Sequence, residues 1–91
     1  FSFTDLYKLN EMALKLVFNN SNPHLIGLAI SLTPIAFQRK VLSVLDRQSA
    51  EQAFSILSQD LTSKRLEARK AQSQIVNIAI NLSSRGSISL Y

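Results

Sequence analysis

The chain has no cysteine and no tryptophan, one histidine, and only 2 glycines and 2 prolines in 91 residues. Without cysteine there is no disulfide staple, no thiolate zinc site and no Cys nucleophile, which fits a reducing compartment. So little glycine and proline excludes a collagen-like, low-complexity or turn-rich chain. No apolar run approaches the ~18 residues that would cross a membrane, and no signal-peptide pattern opens the chain. Carboxylates are sparse as well. Asp5, Glu11, Asp46, Glu51, Asp60 and Glu67 stand singly along the sequence. Acid/base catalysis and hard-metal ligation both need such groups clustered. His24 follows Asn22-Pro23 with no carboxylate near it in sequence and reads as a structural or surface histidine. No serine sits in a nucleophile elbow, and Gly27 and Gly86 form no phosphate loop. No catalytic, cofactor-binding or metal-ligating residue is expected, and the chain reads as a non-enzyme.

What is present is apolar side chain at helical spacing. The hydrophobic fraction is 46%, enough for a core in one small domain over 1–91 that buries about 60–65% of its unfolded surface. The chain begins at Phe1 and not Met, so a piece of a longer protein is expected.

Period-two alternation is almost absent, while i, i+3, i+4 spacing recurs throughout. A short turn is expected over Thr4–Tyr7. Asn10 is placed to cap a helix through EMALKLVFN. Asn22-Pro23 has a capping side chain followed by Pro at the first helical position. The helix behind it, HLIGLAIS, is apolar on nearly all sides and should be central. Thr33-Pro34 reads as a second start of the same kind. The helix after it should turn Phe37, Val41, Val44 and Leu45 inward and Gln38, Arg39 and Lys40 outward. Ser49-Ala50-Glu51-Gln52 has the form of a capping box. The spacing behind it turns Ala50, Ala53, Phe54, Leu57 and Leu61 inward. After Thr62 and Ser63 comes the longest helix, Leu66 to Ser84. Its inward stripe is Ala71, Ile75, Ile78, Ala79 and Leu82, widened by Val76 and Ile80. Gly86 fits a left-handed cap, with Ile88 and Leu90 folding back. The expected fold is all-α, a compact bundle of about five or six helices with an armadillo-like look.

Net charge is +4, and most of it lies in KRLEARK, where Lys64, Arg65, Arg69 and Lys70 face Glu67 alone. Such a stretch suits nucleic acid, an acidic protein or an anionic surface, or is simply the solvated start of a helix. Farther along, Gln72, Gln74, Asn77 and Asn81 could form a base-reading face or an ordinary wet one. A small helical nucleic-acid-binding domain is kept as the lesser reading.

The closing run AQSQIVNIAINLSSRGSI resembles the end of the flagellar motor switch protein FliG family, of the form AQ..IV.I...L...G.I. The matching positions are Ala71, Gln72, Ile75, Val76, Ile78, Leu82, Gly86 and Ile88. The opening FSFTDLYKL is similar to that family's FVFEDI-like start at Phe1, Phe3, Asp5 and Leu6. In the family this start ends the Met-Phe-x-Phe linker motif on which the C-terminal domain swivels. The resemblance therefore implies a hinge-proximal segment over 1–9, with Phe1 and Phe3 as hinge residues.

The resemblance also implies a non-enzymatic rotor module without a cofactor or small-molecule substrate. It implies a place in the cytoplasm at the inner-membrane base of the flagellum, without insertion in the membrane. The implied partners are the cytoplasmic loop of the stator protein MotA, FliM and neighbouring FliG. In the family a torque helix carries an Arg near its start and an adjacent acidic pair farther on. Here the corresponding segment is SAEQAFSILSQDL. In one register the Arg position is Gln52 and the pair is Gln59-Asp60. In the gapless register they are Gln48 and Ser55-Ile56. A family Lys at the end of the preceding buried helix corresponds to Ser31, and a later basic position to Arg65, before Leu66. The stator-facing candidates are Arg47, Gln52, Gln59, Asp60, Lys64 and Arg65. Because the acidic pair is not intact in either register, the alternative is a divergent FliG-like adapter without torque function, in a flagellar or secretion-type base.

Overall fold

The computed structural model describes residues 2–88. Among them are five α-helices, two short 3-10 helices and no strand, with 77% of the residues helical. Side-chain caps start several of these elements. The leading 3-10 helix, Phe3–Lys8, is held by the Asp5 carboxylate, which accepts from the Ser2 N–H at 2.8 Å. The helix α1, Glu11–Asn19, starts where Asn10 accepts from the Ala13 N–H at 2.8 Å. Helix α2, Pro23–Ile30, starts where Asn22 accepts from the His24 N–H at 2.8 Å. Each cap satisfies one amide that the helix itself leaves unpaired.

Two expected starts fall elsewhere. Helix α3 runs Ile35–Val44, with Pro34 outside it at ψ 150°. Thr33 does not cap it. Its hydroxyl turns back to the Ile30 carbonyl at 2.6 Å and closes α2 instead. Helix α4 runs Arg47–Leu57, so it opens before Ser49. The cap is Asp46, whose carboxylate accepts from the Ser49 N–H at 2.8 Å. An anionic side chain at the positive helix end displaces the Ser49–Gln52 box, which ends up inside the helix. A second 3-10 turn, Thr62–Lys64, leads straight into α5, Arg65–Ser84.

Helix α2 is the central element. Ile26, Gly27, Leu28, Ala29 and Ile30 are all buried, and α4 and α5 pack against it most extensively. Gly27 is where α2 and α4 touch. A Cβ built there would lie 2.6 Å from Ile56 Cβ and 2.8 Å from the Ala53 carbonyl oxygen. On its other side α5 presents Ala68, Ala71, Ile75 and Ala79. Three of those four are alanines, which lets the two helix axes come close. The stripe is thus narrower than the sequence suggests: Ile78, Val76 and Leu82 are half-buried and Ile80 is 42% exposed. Phe54 also faces solvent, 60% exposed, although helical spacing turned it inward. The inner face of α4 is Ala50, Ala53, Ile56 and Leu57, and position 54 falls roughly 90° from the centre of that face.

Two glutamines that read as surface residues are tied inward. The Gln38 amide donates to the carbonyls of Ile30 and Thr33 at 2.9 and 3.2 Å. The Gln72 amide donates to the Ala29 carbonyl at 2.9 Å. Both serve carbonyls at or just past the C-terminal end of α2, which the helix cannot satisfy.

An aromatic cluster fixes the leading 3-10 helix to the body. Phe37 of α3 meets Tyr7 at a centroid distance of 4.4 Å, Phe3 at 6.2 Å and Phe18 at 6.3 Å. Such pairs contribute about 0.5–1.5 kcal/mol each beyond their burial. At the other end Gly86 has φ +76°. Its N–H reaches the Ser83 carbonyl at 3.0 Å and Ser87 N–H the Leu82 carbonyl at 2.9 Å, which is the Schellman pattern. Ile88 then folds onto the core at 9% exposure, as expected, while Leu90 lies outside the described residues.

A candidate partner-binding corner between α4 and α5

The six charged and polar candidates do not form one patch. Arg47 is the first residue of α4 and pairs with Glu51 one turn on, at 3.3 Å. The two side chains are 93% and 68% exposed, so the pair contributes only about 0.3–0.5 kcal/mol. Gln52 lies in the middle of α4, beside a shallow recess with His24, Ser55 and Ile56. The other four gather beyond the end of α4. Since α4 has 11 residues, its two ends stand roughly 16 Å apart, and Arg47 is remote from that group.

At the α4–α5 corner, Gln59 and Arg65 line one recess of about 440 Å³. Its remaining walls are Ser31, Leu32, Gln38, Leu57, Leu61 and Thr62. Ser31, the position that the resemblance matches to a family Lys, opens onto the same recess. Asp60 accepts from the Thr62 N–H at 3.1 Å and the Thr62 hydroxyl at 2.7 Å. These bonds stabilise the carboxylate and hold its pKa below the ordinary value, with the hydroxyl the larger cause. Asp60 is therefore a fixed anion at neutral pH. Lys64 closes the 3-10 turn through its N–H to the Leu61 carbonyl, 2.9 Å, and its side chain is exposed. Arg65 opens α5 and is exposed. The corner thus sets one anion, Asp60, ahead of two cations, Lys64 and Arg65, along a short, hydrogen-bonded connection.

The helix bounds also bear on the two registers. Helix α4 ends at Leu57 and Ser58 follows as its C-cap, so Gln59-Asp60 lie beyond it. The gapless register keeps its positions on the helix, at Gln48 and Ser55-Ile56, and none of these is charged. Between Gln48 and Leu57 the only ionised residue is Glu51, and it faces Arg47. Of the hinge candidates, Phe3 is buried at 7% exposure, and Phe1 lies outside the described residues.

His24 is exposed, with its N–H on Asn22. Among the described residues no three His, Asp or Glu side chains gather as metal ligands, and no helix is long and apolar enough to cross a membrane. At this corner Leu32, 37% exposed in the turn after α2, escaped the sequence reading. A lone leucine between a helix end and Thr33-Pro34 was the available signal.

The family model described as the FliG C-terminal domain matches residues 1–90. The chain belongs to the FliG C-terminal domain family. No curated protein and no solved structure matches it at a significant level. FliG is a component of the flagellar motor switch, on the rotor. The family is a structural part of that motor, works among other flagellar motor proteins, and acts on the cytoplasmic side at the flagellar base. The all-α FliG C-terminal fold, the rotor family and the link to motility agree with the resemblance carried by the two ends of the sequence.

Proposed function

We propose that this FliG C-terminal domain is a non-enzymatic rotor module that contacts the stator MotA loop, and neighbouring FliM and FliG, from the α4–α5 corner. The observation that carries this reading is the family match over residues 1–90. Asp60, Lys64 and Arg65 are the charges that would engage the stator, with Gln59 beside them and Arg47 and Gln52 contributing farther along α4. Single exposed charges are weak contacts, about 0–1 kcal/mol each. Their value lies in steering and register between moving surfaces. The domain works in the cytoplasm at the base of the motor. Phe3 holds the hinge-proximal segment against the body.

A second reading is favoured by the nearly uncharged outer face of α4. In it the domain is an adapter or assembly piece of a flagellar or secretion-type base and generates no torque. Reversing the charge of Asp60 and Arg65 together, in the cell that carries the protein, separates the two. Slowed or abolished swimming with flagella still assembled supports the rotor reading. Swimming at the unmodified rate refutes it.

A further inference from the structure

Beyond the corner, the structure holds a groove of about 800 Å³ between the leading 3-10 helix and α5. Its α5 wall runs from Arg65 to Ile80. Those 15 steps span roughly 22 Å, about four helical turns. The contributing positions 65, 69, 72, 76 and 80 fall on one face of α5. The opposite wall is Phe3 and Tyr7, and Leu32 stands at the junction with the corner recess. The apolar part is open to solvent: Leu32 is 37% and Ile80 42% exposed, and Tyr7 and Val76 are half-buried.

The charge along the groove has one sign. Arg65 and Arg69 line it and no carboxylate does. Among the described residues neither guanidinium has an ion-pair or hydrogen-bond partner, the Arg47–Glu51 pair being the only salt bridge. Both arginines sit at the N-terminal end of α5, and the exposed apolar surface lies toward Ile80. We infer that this groove docks an acidic amphipathic helix of another protein. Its apolar side covers Tyr7, Leu32, Val76 and Ile80, and its carboxylates meet Arg65 and Arg69. A four-turn groove with an apolar strip toward one end and two cations at the other, joined by polar Gln72, Ser73 and Asn77, suits a helix that lies along it. A second copy of this chain does not fit. Its own acids stand singly, and the matching groove of a second copy brings two more arginines and no carboxylate.

The inference goes beyond the rotor reading; Arg65 serves both, so the test works through Arg69 and Ile80, which the rotor reading does not use. The probe is a labelled four-turn synthetic peptide with Leu at i, i+3, i+4 and i+7 and Glu on the flanking positions. Its control carries Lys for every Glu. Fluorescence anisotropy with the 91-residue chain should show binding of the Glu peptide and not of the Lys peptide. Arg69→Glu should weaken binding about tenfold, and Arg69→Lys by less, since a rim cation acts through charge and bidentate geometry. Ile80→Ser should weaken it about fivefold, by removing an apolar contact. Lys15→Glu makes the same charge change on α1, outside the groove, and should leave affinity within about twofold once screened at physiological salt. All three positions are solvent-facing, and circular dichroism confirms that each of the four variants folds. Four results overturn the inference: no binding of the Glu peptide, equal binding of both peptides, indifference to Arg69→Glu and Ile80→Ser, or capture by phosphatidylglycerol vesicles or duplex DNA with the Glu peptide ignored. An overturned groove would leave the motility result at Asp60 and Arg65 untouched.

Discussion

Gly27→Ala adds one methyl where α2 and α4 are closest. Its Cβ would sit 2.6 Å from Ile56 Cβ, 2.9 Å from Ile56 Cγ2 and 2.8 Å from the Ala53 carbonyl oxygen. Contacts under 3.0 Å cannot be absorbed by a rotamer change when they fall on a Cβ and a backbone atom. The two helices must move apart, and α2 carries the core on its other side. Overpacking of this kind costs typically 1–3 kcal/mol, and the geometry here places it at about 3. Ala offsets about 1 kcal/mol of that, because it is the better helix former. The net loss is about 2 kcal/mol. In a domain this size each kcal/mol moves Tm by about 4–8 °C, so Tm should fall by roughly 8–16 °C. Thermal unfolding followed by circular dichroism at 222 nm reads this directly. Adding Ile56→Ala should rescue at most part of the loss, because it keeps the offending Cβ and leaves the Ala53 carbonyl in place. A Gly27→Ala chain as stable as the parent, or full rescue by Ile56→Ala, would refute the close approach.

Three further outcomes follow from the same geometry. Gly86→Ala meets nothing within 4 Å, so its cost is the φ of +76° alone, about 1–2 kcal/mol; Gly86→Asn should cost less, and urea midpoints that do not separate the two would contradict the cap. Gln72→Met keeps the volume and removes the donor to the Ala29 carbonyl, at a cost of about 1 kcal/mol, with hydrogen exchange speeding up at the end of α2 if the bond matters and unchanged there if it does not. The pKa of Asp5 is held down by the Ser2 N–H and that of Asp60 by Thr62. Their contribution is therefore complete above the unfolded carboxylate value of about 4 and lost as pH falls below it. Asp5→Asn with Asp60→Asn should accordingly flatten the fall of Tm between about pH 4 and about pH 2.5, and an unchanged slope would contradict both contacts.

Local chemistry in this chain was legible in its residues, and chemistry that depends on a second helix was not. Asn10, Asn22-Pro23 and Gly86 act within a few residues of themselves, and their roles agree with the sequence reading. The apolar run of α2 could only be central, and it is. The start of α4 was misplaced because two caps stood side by side, and the carboxylate of Asp46 outcompetes the hydroxyl of Ser49 at a helix N-terminus. Phe54 faces water because α4 turns inward the side of Ala53 and Ile56, a choice set by the packing against Gly27. Gln72 finds its acceptor 43 residues away, and Gly27 acquires its meaning only when α4 arrives. No periodicity could announce either. At the candidate site, the charges of Asp60, Lys64 and Arg65 were readable, but not that α4 ends before Gln59. Leu32 was passed over because a single leucine in a turn has no period to betray it.

The most direct test of the rotor reading is the rotation rate of tethered cells in which residues 1–91 are deleted and then restored. The account predicts that rotation stops in the deletion and returns with the intact chain. Rotation at the unmodified speed without these residues would contradict it.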